Sequence, residues 1–155
     1  MKSWNLFSVT WWRKAAHPGR KIETAFAFSR PVSVDRERIA RLLSNLLGNA
    51  INYGAPGSPV QVHASTNGNF ELSVINAGSA IPPGILKRLF APFTRGETQT
   101  DQKGLGLGLY IVSEIARAHG GTIDVSSHLL HLSDAAVDAP SSLPAFPVSR
   151  ETKWR

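Results

Sequence analysis

Residues 35–53 read DRERIARLLSNLLGNAINY, and the fold turns on this run. Ile39, Leu42, Leu43, Leu46, Leu47, Ala50 and Ile51 recur at three- and four-residue spacing, which places them on one helical face and marks that face as core. Ser33 or Asp35 can cap the start, with Glu37 in the first turn. The break GAPGSP at 54–59 ends the helix near Tyr53. A second stripe, Asn45, Asn49 and Asn52, borders the leucine face at spacings of four and three. At ~100° per residue, Asn49 lies ~40° from Asn45 and Asn52 ~20° to its other side. The plain reading is the polar edge of an amphipathic helix. However, Asn costs roughly several tenths of a kcal/mol relative to Ala inside a helix. Amide oxygens also suit Mg²⁺, which keeps waters and shares substrate phosphates. The helix alone leaves the two readings balanced.

Working outward, Lys21–Phe28 alternates Ile22, Thr24, Phe26 and Phe28 on one side and predicts a strand that Pro31 ends. Val60–Ser65 and Phe70–Ile75 predict two strands joined by a turn at Thr66–Asn69, which is a hairpin. Pro82 and Pro83 open a short helix over Gly84–Phe90. The polar run TRGETQTDQK at 94–103 predicts a mobile loop. A second long helix follows over Leu109–Ala118, with Leu109, Val112, Ile115 and Ala116 on one face and Gly120-Gly121 as its stop. Thr122–Ser126 predicts another strand. This order implies an α/β two-layer sandwich, a mixed and mostly antiparallel sheet with helices on one face. From Ser127 the pattern dissolves, and Asp134–Pro147 is rich in Ala, Ser and Pro. The expected organisation is an N-terminal flank at 1–14, one domain at 15–126, and a poorly ordered tail at 127–155. The four tryptophans, Trp4, Trp11, Trp12 and Trp154, sit only in the end segments.

With 155 residues, 42% hydrophobic and 18% charged, there is room for one globular domain. The chain has no cysteine, which excludes a disulfide scaffold, a thiolate metal site and a Cys nucleophile. No apolar run approaches the ~20 residues of a membrane span. The start resembles no secretory signal, because Arg13 and Lys14 interrupt it early. A cytoplasmic protein with no membrane segment is expected. The net charge of +6 resides in residues 1–41, with nine Lys or Arg against three Asp or Glu; residues 42–155 balance to zero. That distribution fits a solvated basic flank, and no recognition element accompanies it, so no nucleic-acid partner is expected.

Two glycine motifs carry further chemistry. Gly104-Leu105-Gly106-Leu107-Gly108 opens the second helix, where glycines permit close backbone approach and the helix end offers free N–H groups to phosphate. No Gly-Lys-Ser/Thr follows, so this is not a P-loop; no strand precedes it, so it is not a dinucleotide fingerprint. Val74–Pro82 ends a strand in Asn76 and turns at Gly78, which alone reads as an ordinary strand-to-helix turn.

Taken in order, RLLSNLLGNAINY at 41–53, the Asn76–Ile81 turn, LFAPFTR at 89–95, and the glycine run into GLYIVSEIARAHGG resemble the ATP-binding catalytic domain of sensor histidine kinases. These stretches are similar to the family's N box, first glycine box, F box and second glycine box, with the second glycine box at Gly104–Leu109. The resemblance spans roughly residues 15–126. It implies the Bergerat fold shared with gyrase, mismatch-repair and heat-shock chaperone ATPases, and the F box points to the kinase branch. The wording of the first glycine box looks closest to kinases with photosensory or similar cytosolic input modules. ATP and Mg²⁺ are the implied cofactors. By the resemblance, Asn49 is the main Mg²⁺ ligand with Asn45 beside it, and these two are the implied catalytic residues. Tyr53 stacks near adenine, Asn76 reads the adenine amino group, and Gly78 lets the backbone approach the base. Arg95, Lys103 and the amides of Gly104, Gly106 and Gly108 hold phosphates. Asn52, Ile81, Phe93, Leu105, Leu107 and Leu109 complete the implied ATP site.

Several positions depart from the family pattern. Asn76 stands where the family has Asp; its amide oxygen can accept the same bond without charge assistance. Asn52 stands where a Lys or Arg reaches phosphate, a role that Arg95 and Lys103 could take over. In place of the family's final Gly-Thr-x-Phe hairpin and Leu-Pro stand His128–Ser133, which implies a sheet without its last strand or a changed reading frame. A phosphoacceptor histidine is also missing: His17 precedes Pro18-Gly19 in a turn, and His63, His119, His128 and His131 lack the flanking acid and proline. His119 reads as a helix C-cap cation. The expected function is transfer of the γ-phosphate of ATP to a histidine on a dimerisation domain elsewhere, with a response regulator downstream, in a partial kinase. The alternative is a non-catalytic ATP-binding regulator of the anti-sigma kind, or a degenerate remnant.

Overall fold

The computed structural model describes residues 19–66, 69–79, 81–93, 106–129 and 148–154. Their elements are β1 (Ile22–Ala27), α1 (Arg36–Tyr53), β2 (Val60–Ser65), β3 (Glu71–Gly78), α2 (Pro83–Leu86), α3 (Gly108–Ala118), β4 (Ile123–Leu129) and β5 (Val148–Trp154). The five strands form one sheet in the order β1-β2-β3-β5-β4. Only the β1–β2 pair is parallel; the other three pairs are antiparallel. The expected mixed, mostly antiparallel sheet is therefore present.

α1 forms where the spacing predicts. Of the two candidate caps it is Asp35 that acts, its Oδ1 accepting the N–H groups of Glu37 and Arg38 at 3.1 Å each. Ile39, Leu42, Leu46, Leu47, Ala50 and Ile51 are buried along one face. They pack with Val112, Ile115 and Ala116 of α3 onto Val60, Val62 and Ala64 of β2 and Leu72 and Val74 of β3. The register pairs Val62 with Val74 and Ala64 with Leu72, so the apolar residues of the two strands share the helix side. At ~25 cal/mol per Å² of apolar surface, this single layer is the main source of stability. At the sheet edge the Glu23 carboxyl is held below the usual carboxylate range by hydrogen bonding from Lys21 and Gln61.

The sheet corrects one expectation. It does not lack its last strand: β5 lies inside the segment read as a tail and pairs with both β3 and β4. β4 in turn continues past Ser126 to Leu129. The register sets Thr152 opposite Val74 and Val125, and Trp154 opposite Leu72 and Ile123. The physical reason is that a strand paired on both sides draws on two ladders of backbone bonds, so its side chains need not spell a strong strand by themselves. Residues 130–147, between the two strands, lie outside the described residues. The short helix, α2, is also briefer than expected, a single turn at Pro83–Leu86 followed by further turns to Phe90. Among the described residues no helix is long and apolar enough to cross a membrane.

His119 is the C-cap residue of α3. Nε2 accepts the backbone N–H of Asp35 at 3.2 Å, and Nδ1 lies 2.8 Å from the Ile115 carbonyl. The ring ties the end of α3 to the start of α1.

Candidate functional site

Three segments meet beside the helical layer: the C-terminal half of α1, the end of β3 and the first turn of α3. The α1 end and the β3 end are joined directly. Gly54 forms a β-bridge with Gly78, and the Ala55 N–H donates to the Ala77 carbonyl at 2.6 Å. Both glycines are required by close approach. A Cβ on Gly54 would stand 2.3 Å from the Ala50 carbonyl oxygen, and one on Gly78 would stand 2.7 Å from that of Tyr53. A side chain at Gly78 would push β3 off the end of α1, and one at Gly54 would strike the last turn of α1 itself.

Asn76 lies under this junction with only 7% of its surface exposed. Its Nδ2 donates to the Ala77 carbonyl at 3.2 Å, and among the described residues Oδ1 has no partner. A buried acceptor left unpaired costs about 1–3 kcal/mol, so this atom suits a donor supplied from outside the chain. Tyr53 is 41% exposed at the mouth of the same corner, Asn52 is exposed beside it, and Ile81 is half-buried.

At the other end of the stripe, the Asn45 Nδ2 donates to the Arg41 carbonyl at 3.0 Å, which leaves its Oδ1 available. A Cβ on Gly108 would lie 3.4 Å from that Oδ1 and 3.9 Å from the Oδ1 of Asn49. Two amide oxygens thus face the first residue of α3. That helix has no side-chain cap at its start, and its first described backbone bond runs from the Ile111 N–H to the Leu107 carbonyl. Gly106, in the left-handed region at φ 69°, sets the entry. Uncommitted N–H groups beside amide oxygens suit an anion bridged by a hard cation. Among the described residues no three His, Cys, Asp or Glu side chains gather for a metal. A cation here would therefore draw on Asn45 and Asn49, on phosphate oxygens and on water, a donor set that fits Mg²⁺.

The structure thus brings Asn45, Asn49 and Gly108 together at one end of the site, and Tyr53, Asn76 and Gly78 at the other. Leu107 is the N-cap of α3 and Leu109 packs against the core. Phe93 is 70% exposed at φ 60°, a backbone region bulky residues rarely occupy. Arg95, Lys103, Gly104 and Leu105 lie outside the described residues, as does His17. Sequence reasoning missed Arg20 and Gly54. The signal for Arg20 was the absence of any basic residue in the last turn of α1, which leaves its carbonyls to be satisfied from elsewhere.

This fold and site define an ATP-binding catalytic domain of the sensor histidine kinase type. Residues 34–142 match the family of Histidine kinase-, DNA gyrase B-, and HSP90-like ATPases, and the chain belongs to that family. It is 43% identical over 113 residues to a bacteriophytochrome of Pseudomonas aeruginosa, covering 71% of this chain and 16% of that protein. It is 31% identical over 115 residues to a sensor histidine kinase component, HK1, of Mycobacterium tuberculosis, covering 74% of this chain and 68% of that one. Its fold is similar to that of the mycobacterial sensor histidine kinase MprB, with a TM-score of 0.70 at 25% identity, over 95% of this chain and 90% of that one. The chain spans only a small part of the bacteriophytochrome's length.

Proposed function

We propose that this domain binds ATP with Mg²⁺ and transfers the γ-phosphoryl group to a histidine on a separate dimerisation domain or chain. A response regulator is then the indirect recipient, and the reaction belongs in the cytoplasm, where ATP is. The carrying observation is the pair of amide oxygens, Asn45 and Asn49, set against the uncapped start of α3. Asn76 Oδ1 accepts the adenine amino group, with Tyr53 against the base and Gly78 giving the backbone room to approach it. Asn49, helped by Asn45, holds Mg²⁺, which when bound neutralises phosphate charge. The N–H groups at Gly106 and Gly108 hold phosphate oxygens, with Gly104, Arg95 and Lys103 joining them from the preceding segment. Asn52, Ile81, Phe93, Leu105, Leu107 and Leu109 border the nucleotide. Catalysis here is positioning and charge neutralisation. The test is calorimetric titration with ATP and GTP, each with Mg²⁺ and with chelator. The expected result is Mg²⁺-dependent binding that favours ATP. Equal affinity for both nucleotides would remove Asn76 from its role, and binding indifferent to Mg²⁺ would remove Asn49.

A further inference from the structure

Arg20 precedes β1 by two residues and lies far in sequence from every motif of the site. Its guanidinium nevertheless donates to four backbone carbonyls at the end of α1. One terminal nitrogen reaches Ala55 at 2.5 Å and Ser58 at 3.2 Å; the other reaches Ile51 at 3.0 Å and Gly54 at 2.8 Å. The Ile51 carbonyl is among the last of α1, which the helix itself cannot satisfy, and Gly54 is its C-cap. The planar fork of five N–H donors can serve such a spread of acceptors, and a compact ammonium cannot. The same four-residue stretch, 51–54, carries Tyr53, and Gly54 is the residue bridged to Gly78 above Asn76.

We infer that Arg20 is a positioning residue of the nucleotide site: it clamps the end of α1 and the 55–58 loop to the start of β1, and so fixes Gly54, which bridges to Gly78, and with it the corner formed by Tyr53, Gly54, Gly78 and Asn76. This rests on the reading of that corner as the base-binding end. The clamp holds one end only. Asn45, Asn49 and Gly108 lie toward the other end of the stripe, and none of Arg20's bonds touches them. Loss of Arg20 therefore weakens nucleotide binding without changing how binding responds to Mg²⁺; because partial unfolding would lower both affinities by one factor as well, the thermal unfolding curve, showing the variant folded at the titration temperature, separates the clamp from general destabilisation.

The experiment compares wild type, Arg20→Met and Arg20→Lys. ATP and GTP affinities are measured with Mg²⁺ and with chelator, beside thermal unfolding and amide exchange at Ala55. Arg20→Met is expected to bind ATP about tenfold more weakly, with the Mg²⁺-to-chelator affinity ratio at its wild-type value and Ala55 exchanging faster. Arg20→Lys, which keeps the charge and loses the fork, falls between. If Arg20→Met does not fold, Arg20→Lys carries the test, with a loss of about threefold expected. ATP affinity at the wild-type level in a folded variant overturns the inference, as does a loss of the Mg²⁺ ratio along with affinity. Wild type that binds ATP and GTP equally, while the Arg20 variants still weaken both, would defeat the adenine role of Asn76 and uphold the clamp.

Discussion

At the residue scale, the proposed roles of the asparagines follow from what each has left to offer. Asn76 has spent its amide N–H on a neighbouring carbonyl, and its buried oxygen has no partner among the described residues. Replacing it with Leu removes the acceptor that the adenine amino group would meet, so Asn76→Leu should lose about 1–3 kcal/mol of ATP binding. Asn76→Asp should keep or improve it, since a carboxylate accepts the same bond with charge assistance. Calorimetry on the two variants decides this, and undiminished binding by Asn76→Leu would count against the assignment. Asn49 offers its oxygen beside Gly108, and Asn49→Ala should abolish the Mg²⁺ dependence of nucleotide binding while the melting curve stays close to wild type. A variant that still binds ATP better with Mg²⁺ than with chelator would show that the metal is held elsewhere. The stripe itself was legible in the sequence, because three asparagines on one helical face are a costly choice. The role of Arg20 was barely legible: the last turn of α1 lacks a basic residue, but nothing in composition or spacing ties its carbonyls to an arginine more than thirty residues away.

At the element scale, α1 and α3 were legible because apolar residues at three- and four-residue spacing have one stable use, burial against a sheet. The β2–β3 hairpin was legible for the same reason at a period of two. β5 was not. Its sequence, VSRETKW, alternates weakly and carries three charged residues, and its partners lie far away in the chain. Its placement is fixed by the ladders on its two sides, which no local window contains. Because β5 stands between β3 and β4, its removal would leave two strands with exposed, unpaired edges. Truncation after Pro147 is therefore expected to abolish cooperative unfolding in a urea titration followed by circular dichroism. A truncated chain with an unchanged midpoint would show that the sheet closes without β5. The cap of α1 gives a smaller effect: Asp35→Ala removes the acceptor for two N–H groups and should cost about 1 kcal/mol in the same titration.

At the scale of the whole molecule, the parts present define what the chain can do alone. The site gathers groups that bind and position a nucleotide, and phosphoryl transfer also needs an acceptor held in line with the γ-phosphate. The histidines whose side chains the structure describes do not provide one. His119 has both ring nitrogens engaged, by the Asp35 N–H and the Ile115 carbonyl. His63 sits on β2 opposite Ser73 and Ala25, on the sheet side away from the buried Val62 and Ala64 and so away from the helices that frame the site. His17 lies outside the described residues; its sequence context lacks the flanking acid of a phosphoacceptor and sets it directly before Pro18, a neighbour that disfavours helical backbone. The chain by itself is therefore expected to bind ATP without phosphorylating itself. Added to a dimerisation domain that bears an acceptor histidine, it is expected to place acid-labile label on that domain and none on itself. Incubation with radiolabelled ATP, followed by acid and alkaline treatment of the separated chains, reads the outcome directly. Acid-labile label on this chain alone, abolished by His17→Gln, would make His17 the acceptor and the chain a self-sufficient kinase.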